Sequence, residues 1–235
     1  MIRIILSGYS GKMGQSIIGV AAHQKDVRIV AGITRKDIVA SPLPLFKSLE
    51  TCTLEADVLL DFTNPENFLS VIKFSKEKKM PLVIGTTGLD TTQLEVLNNL
   101  SKVTQVLHSA NMSIGFNIFL DTVQLAAKYL HKEYDIEIIE KHHSTKIDAP
   151  SGSALLIKNA IKKVTDSSNE ISIHSIRAGN IVGQHDVIMV GEDECIEIMH
   201  TANSKDIFSR GTLQAARFLV KQNIGMYTIN DIMKV

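Results

Sequence analysis

Between positions 140 and 153 the chain reads Glu-Lys-His-His-Ser-Thr-Lys-Ile-Asp-Ala-Pro-Ser-Gly-Ser, which crowds His142, His143 and Lys146 into one short stretch. The residues that follow place apolar side chains at Ala154, Ile157 and Ile161, one face of a helix. The string therefore ends on a helix N-terminus, whose N–H groups lack intrahelical partners and carry the positive end of the helix dipole. Such a terminus favours a carboxylate or phosphate. Three titratable cations facing an anion hole suit proton transfer to a bound anionic substrate. An ordinary reading stands beside this one: the histidines end a strand, Lys146 is a solvated loop charge, and Ser151-Gly152-Ser153 caps a helix. The string is polar throughout and punctuated by Gly and Pro between two apolar elements, which favours chemistry.

The pattern Glu-x-His-His-x-x-Lys-x-Asp-Ala-Pro-Ser-Gly-Ser-Ala resembles the hallmark of the 4-hydroxy-tetrahydrodipicolinate reductases, also called dihydrodipicolinate reductases. The resemblance implies hydride transfer from NADPH or NADH to a cyclic, unsaturated imino-dicarboxylate derived from 4-hydroxy-tetrahydrodipicolinate. The product is tetrahydrodipicolinate, on the diaminopimelate route to lysine. By the family's pattern His142 and Lys146 are the catalytic proton donors, while His143, Gly152 and Ser153 hold substrate carboxylates. Ser153 replaces the commoner threonine and keeps its hydroxyl. Histidine titrates near neutrality, and a lysine near other cations has its charged form disfavoured, so both types suit the task. The residues alone do not rank His142 against Lys146.

A cofactor must be delivered to this string. Ile2 to Ser7 is an apolar run leading into Gly8-Tyr9-Ser10-Gly11-Lys12-Met13-Gly14, after which Met13, Ile17, Val20 and Ala21 share a helical face. Strand, glycine turn and helix in that order let a backbone approach a pyrophosphate held at the helix N-terminus. The spacing is Gly-x-x-Gly-x-x-Gly, with Ser10 where the usual fingerprint has its second glycine. By itself it fits a cofactor site and a tight turn equally. The reductase family is similar here, which implies cofactor contacts from Gly8, Tyr9, Ser10, Gly11, Lys12 and Met13.

The second strand, Val27 to Ile33, is followed by Thr34-Arg35 where an acid usually reads the adenosine ribose. Arg35 fits a 2′-phosphate and a plain surface arginine equally well. NADPH is the expected preference, with NADH also used. A third strand covers residues 56–62, and Asn64-Pro65 then opens a helix to about Lys79, with Asn64 as its cap. Pro81 to Ile84 is a buried strand ending in Gly85-Thr86-Thr87-Gly88. A helix from Asp90 to Lys102 with an Asp90/Gln93 capping pair comes next, then a strand over Val103–Leu107 and the loop Ser109-Ala110-Asn111-Met112-Ser113. The family carries similar loops, implying that Gly85, Thr86 and Thr87, and Ala110, Asn111, Met112 and Ser113, lie on the nicotinamide side. Without that resemblance the first is an ordinary turn, and Asn111 and Ser113 cap the next helix.

Strand and helix alternate up to residue 113, the signature of a parallel sheet covered on both faces. Beyond it come a helix to Leu130, a strand over Tyr134–Glu140, a helix over Ser153–Lys163, a strand over Ile171–Arg177, and a hairpin of Asp186–Val190 with Cys195–Thr201. Residues 177–185 match a further family string, although they need be no more than turn formers. Leu213, Ala216, Arg217 and Val220 mark a terminal helix. The expected fold class is α/β: a Rossmann-like dinucleotide-binding domain, 1–112 plus 212–235, with a second α+β substrate-binding and oligomerisation domain, 113–211, on a mixed sheet.

Lys+Arg and Asp+Glu are each 25, so no global positive field condenses on nucleic acid or anionic lipid. The expected partner is a small dicarboxylate. No apolar run spans a bilayer, and Ile2-Arg3-Ile4-Ile5-Leu6 does not read as a signal peptide, so the protein is expected to begin at Met1 and work in the cytoplasm. Cys52 and Cys195 give neither a disulfide framework nor metal-ligand spacing, and no metal is expected. The family's tetramers imply a homotetramer. Two rivals stay open: another Rossmann dehydrogenase acting on an imino or amino acid, of aspartate-dehydrogenase type, and a non-catalytic NAD(P)-sensing module.

Overall fold

A computed structural model describes residues 1–38, 40–165 and 170–234 of the 235. The chain forms two compact units, Met1–Ser113 with Asp206–Val235, and Ile114–Lys205. The first contributes β1 (Ile2–Ser7), α1 (Lys12–Ala22), β2 (Val27–Ile33), β3 (Leu45–Phe46), β4 (Val58–Asp61), α2 (Phe68–Lys78), β5 (Leu82–Ile84), α3 (Thr91–Leu100) and β6 (Gln105–His108). The second holds α4 (Ile114–Leu130), β7 (Asp135–His142), α5 (Gly152–Lys162), β8 (Ser172–Arg177), β9 (Gly183–Val190) and β10 (Cys195–Ala202). The chain then returns to the first unit as α6 (Asp206–Leu219), β11 (Gly225–Tyr227) and α7 (Ile229–Ile232). The return begins with the first residue of α6.

The first unit is a Rossmann-like sheet of seven strands in the order β11-β6-β5-β4-β1-β2-β3, with every pair parallel. Ile4, Ile5, Leu6, Val58, Leu59, Leu60, Leu82, Val83 and Ile84 are fully buried, as continuous apolar runs must be when helices cover both faces. The chain winds one way from β1 through β2 and the other way from β4 through β5. The crevice beyond the carboxyl ends of β1 and β4 is therefore the switch point at which such sheets bind ligands.

Several local expectations need correction. The first turn after Asn64 is a 3₁₀ turn over Pro65–Asn67, and Asn64 caps it with no side-chain hydrogen bond. β6 starts at Gln105 because the amides of Val103 and Thr104 bond back to the Leu100 carbonyl at 2.8 and 3.1 Å, closing the turn after α3. The expected Asp90/Gln93 capping pair is present. β3 and β11, each only two or three residues, carried no period to read.

In the second unit the sheet order is β10-β9-β7-β8, with β7 and β8 parallel and the other pairs antiparallel, a mixed sheet. Phe116, Phe119, Val123 and Ala127 of α4, with Ala154, Ile157 and Ile161 of α5, form one core with Ile138, Val187 and Met189. Period-two alternation puts Ile136, Ile138, Glu140 and His142 on one face of β7. The register sets Glu140 beside Ser175 and His185, with His200 beyond, and His142 beside Arg177. All four strands thus turn from apolar to polar at the same level of the same face. No helix among the described residues is long and apolar enough to cross a membrane.

Candidate active site

Glu140 is the centre of the polar row. It is completely buried, and its carboxylate accepts from Arg177 twice, Nη1 to Oε2 at 2.8 Å and Nη2 to Oε1 at 2.7 Å. The Ser151 amide adds a third bond at 3.2 Å, and His142 Nδ1 lies 2.5 Å from Oε2. Burial alone would raise the Glu140 carboxyl, but Arg177, then Ser175, His142 and the Ser151 amide, outweigh it and hold the group at about 2. A buried carboxylate is tolerated here because a bidentate guanidinium neutralises it.

His142 turns its Nδ1 toward this ionised carboxylate and its Nε2 away from it. Burial lowers the His142 pKa below its ordinary value; Glu140 opposes the shift, and the charges of Lys146 and Arg177 add to it. His185 packs edge-on against this ring with centroids 5.3 Å apart and is pushed to about 4 by burial, then by His142 and His200. Its Nε2 meets the Ser151 hydroxyl at 3.4 Å. Gly183 faces His142 Nε2, and a Cβ there would stand 3.1 Å from it, so only glycine leaves that nitrogen uncovered.

The loop after β7 brings Lys146 and His143 to the same region. Lys146 Nζ contacts both oxygens of Asp148 at 2.7 and 2.8 Å, and Arg177 Nη2 reaches the Asp148 carbonyl at 2.6 Å. His143 Nδ1 pairs with the Thr145 hydroxyl at 2.8 Å. The expected cluster of three cations is therefore corrected: His142 is held against a carboxylate and Lys146 is ion-paired. α5 starts at Gly152 behind a Ser151 cap, whose hydroxyl accepts from Ala154 N at 3.2 Å. Gly152 is exposed with open space at its Cβ position, and Ser153 is half-buried beside it.

In the first unit, the β1–α1 turn has the features of a pyrophosphate cradle. Gly8 takes φ +90°, where a Cβ would strike the Phe62 carbonyl at 2.5 Å. Gly11 caps α1 with no side-chain hydrogen bond; Lys12 is exposed and Met13 half-buried. Ser10 accepts from the buried Thr34 hydroxyl at 2.9 Å, joining the glycine turn to the end of β2. A cleft of about 320 Å³ opens there, with Arg35, Lys36, Lys47, Asn64 and Asn67 among its lining residues. Arg35 donates to Asn67 Oδ1 at 2.6 Å.

Three of the expected cofactor residues make hydrogen bonds within the protein. Tyr9 is buried: its amide donates to Ile33 O at 3.1 Å, its carbonyl accepts from Gln15, and its hydroxyl meets Ser41. Thr86 is buried, and its hydroxyl donates to Asp61 Oδ2 at 2.6 Å. Asn111 accepts the Ser113 amide at 2.9 Å, the capping role of the plainer reading. Thr87 and Ala110 are exposed, Gly85 is half-buried, and Met112 and Ser113 are buried. Asp61, which the sequence did not single out, is completely buried, and burial raises its pKa against hydrogen bonds from Thr86, Thr63 and Ser7.

Two family models, the dihydrodipicolinate reductase N-terminus and C-terminus, match residues 2–112 and 115–233. The chain belongs to the dihydrodipicolinate reductase family. A 4-hydroxy-tetrahydrodipicolinate reductase of Clostridium novyi is 41% identical, with 100% of this chain and 99% of the relative covered. A dipicolinate-bound dihydrodipicolinate reductase from Paenisporosarcina sp. TG-14 superposes with TM-score 0.86 at 27% identity, covering 97% of both chains. Aspartate dehydrogenase from Thermotoga maritima shares the fold alone, at TM-score 0.54 and 12% identity.

Asp61, Lys47 and Asn67 were not singled out in the sequence, and Arg177 and His185 entered only as the ends of a string that resembles the family's, without a role. Arg177 clamps Glu140 from 37 residues away. Within the residues themselves, the shared apolar-to-polar change along β7, β8 and β9 is the signal that points to it.

Proposed function

We infer that this chain is a pyridine-nucleotide-dependent 4-hydroxy-tetrahydrodipicolinate reductase, forming tetrahydrodipicolinate on the diaminopimelate route to lysine. The observation that carries the reading is the clamped Glu140–His142 pair beside Lys146 and the α5 N-terminus, in a chain of this family. When bound, the reduced nicotinamide supplies the hydride. The α1 N-terminus, the Gly8 turn and the cleft at Arg35 fit such a dinucleotide, with Ser10, Gly11, Lys12 and Met13 at its pyrophosphate and Arg35 at the adenosine ribose. Gly85, Thr87, Ala110, Met112 and Ser113 are assigned to the nicotinamide side.

Addition of hydride to the conjugated imine leaves an electron-rich centre that must gain a proton. Lys146 and His142 handle that proton. His143, Gly152 and Ser153 receive a substrate carboxylate, helped by the positive end of α5. The dipicolinate in the relative from Paenisporosarcina, a cyclic dicarboxylate, supports this class of ligand. NADPH is preferred and NADH used, because Thr34 stands where a carboxylate would repel a 2′-phosphate and Arg35 lies beside it. The protein works in the cytoplasm as a homotetramer; on the helix-free face of the second sheet Ile139, Ile176, Ile188 and Met199 alternate with the Lys141–Asp186 and His174–Glu137 ion pairs, a mixed surface that suits self-association. Whether the chain consumes NADPH when a synthase generates the substrate in the same cuvette is the deciding test. No substrate-dependent loss of NADPH or NADH would remove the reading, and sedimentation would test the tetramer.

A further inference from the structure

We propose that Glu140 and Arg177 are positioning residues that fix the tautomer of His142, holding its proton on Nδ1 and presenting a bare Nε2 to the site. The inference rests on the reading of His142 as part of that site. Glu140 is completely buried, and donors crowd its two oxygens: Nη1 and Nη2 of Arg177, the Ser151 amide and His142 Nδ1, with the Ser175 hydroxyl beside them. Arg177 is itself fixed at its far side by the Asp148 and Ile176 carbonyls at 2.6 and 2.9 Å. The carboxylate therefore cannot turn away, and a buried acceptor so placed requires a hydrogen from the imidazole. Because Arg177 neutralises Glu140, the carboxylate orients the ring without making it a permanent cation. The other charged or titratable neighbours are Lys146 and His185; neither is hydrogen-bonded to the ring, and His185 stays neutral beside it.

The consequence is a division of labour. In its neutral form His142 has no hydrogen on Nε2 to give and acts there as an acceptor, whereas Lys146 Nζ carries hydrogens. One N–H bond of Lys146 breaks, its hydrogen goes to the electron-rich centre left by the hydride, and the neutral amine regains a proton from solvent. Gly183 opposite Nε2 keeps the accepting nitrogen open.

Glu140→Gln separates this role from simple packing. A glutamine whose oxygen takes the place of Oε1 satisfies Arg177 Nη2 and the Ser151 amide and leaves one donor clash, with Nη1; the opposite orientation sets its NH₂ against both of the former. The favoured orientation turns NH₂ toward His142 Nδ1, which must become the acceptor, and the ring switches to the Nε2–H form. The experiment is a ¹H–¹⁵N correlation of ¹⁵N-histidine-labelled full-length protein at neutral pH, with His142→Gln to assign the signal, alongside steady-state kinetics. We expect Nδ1–H in the wild type, Nε2–H in Glu140→Gln, and a kcat reduced on the order of 10²-fold with KM little changed. A wild-type His142 that is Nε2–H or imidazolium overturns the proposal, as does a Glu140→Gln enzyme with wild-type kcat. Should that variant not fold, the wild-type spectrum alone decides between the same outcomes. A protein with the expected tautomer but no reductase turnover would refute the functional reading and leave this inference standing.

Discussion

At the scale of single residues, Lys146 and His142 differ in what surrounds them. Lys146 is tied to Asp148 by two contacts, while burial disfavours the charged form of His142 and Glu140 faces its Nδ1. Lys146→Ala and His142→Gln should each lower kcat by about 10²–10⁴-fold with cofactor affinity retained, checked by turnover and by nucleotide titration. Near-normal turnover in both would take the loop out of the mechanism. The pH dependence has a definite sign. The working neutral form of His142 disappears as pH falls through its folded pKa, which burial lowers from the ordinary histidine value, so kcat/KM should hold at neutrality and fall on the acid side, at lower pH than for an ordinary histidine. His142→Gln should abolish that limb; a wild-type acid limb displaced to higher pH than an ordinary histidine contradicts the assignment. For the cofactor, exposed Arg35 gives a screened contact, so NADPH should be favoured over NADH by roughly fivefold or less, shrinking with added salt. Arg35→Ala should bring the kcat/KM ratio toward one. A clear wild-type preference for NADH would defeat this.

At the scale of elements, the parts of the fold legible in the sequence were those with a period or a cap. β1, β2, the buried run of β5 and the Asp90/Gln93 capping pair declared themselves locally. So did the string from Glu140 to Ser153, as a candidate site. What was not legible depended on register. Arg177 meets Glu140, and His185 meets Ser151, only because β8 and β9 flank β7 with particular residues opposite one another. A shift of one residue would turn each of these side chains to the other face. The side chains of Tyr9 and Thr86 were not legible for a related reason: a side chain within a ligand-shaped loop can point into the core. Thr86 shows what it does there. With Thr63 and Ser7 it satisfies the buried Asp61, so one carboxylate ties together the ends of β1, β4 and β5. Asp61→Ala should strand those hydroxyls and cost about 2–4 kcal/mol by denaturant titration, while Asp61→Asn, which keeps most partners, should cost far less. Equal losses would mean that volume, not hydrogen bonding, is what Asp61 supplies.

At the scale of the whole molecule, the polar row in the second unit makes stability depend on pH in two separate windows. His185 is buried, and its folded pKa is depressed from 6.5 to about 4, so the unfolded chain binds the proton more readily between those values. The stability it contributes is complete above 6.5 and is lost as pH falls toward 4; that displacement corresponds to about 3 kcal/mol at most. Glu140, also buried, is depressed from 4.5 to about 2, so its contribution is present above 4.5 and disappears as pH falls through 2. Acid should therefore weaken the protein first through the histidine, with the Arg177–Glu140 clamp still closed, and only later through the clamp. His185→Leu retains an apolar side chain of similar reach against Phe116 but cannot titrate. Urea titrations at pH 7, 5.5 and 4.5 should show wild-type stability falling across the series, and His185→Leu falling by less, with His142, His200 and His108, which burial also lowers, accounting for the remainder. Parallel losses in the two proteins would place the upper window on other groups, and a wild type equally stable at all three pH values would show that His185 gains a proton in the folded state without penalty.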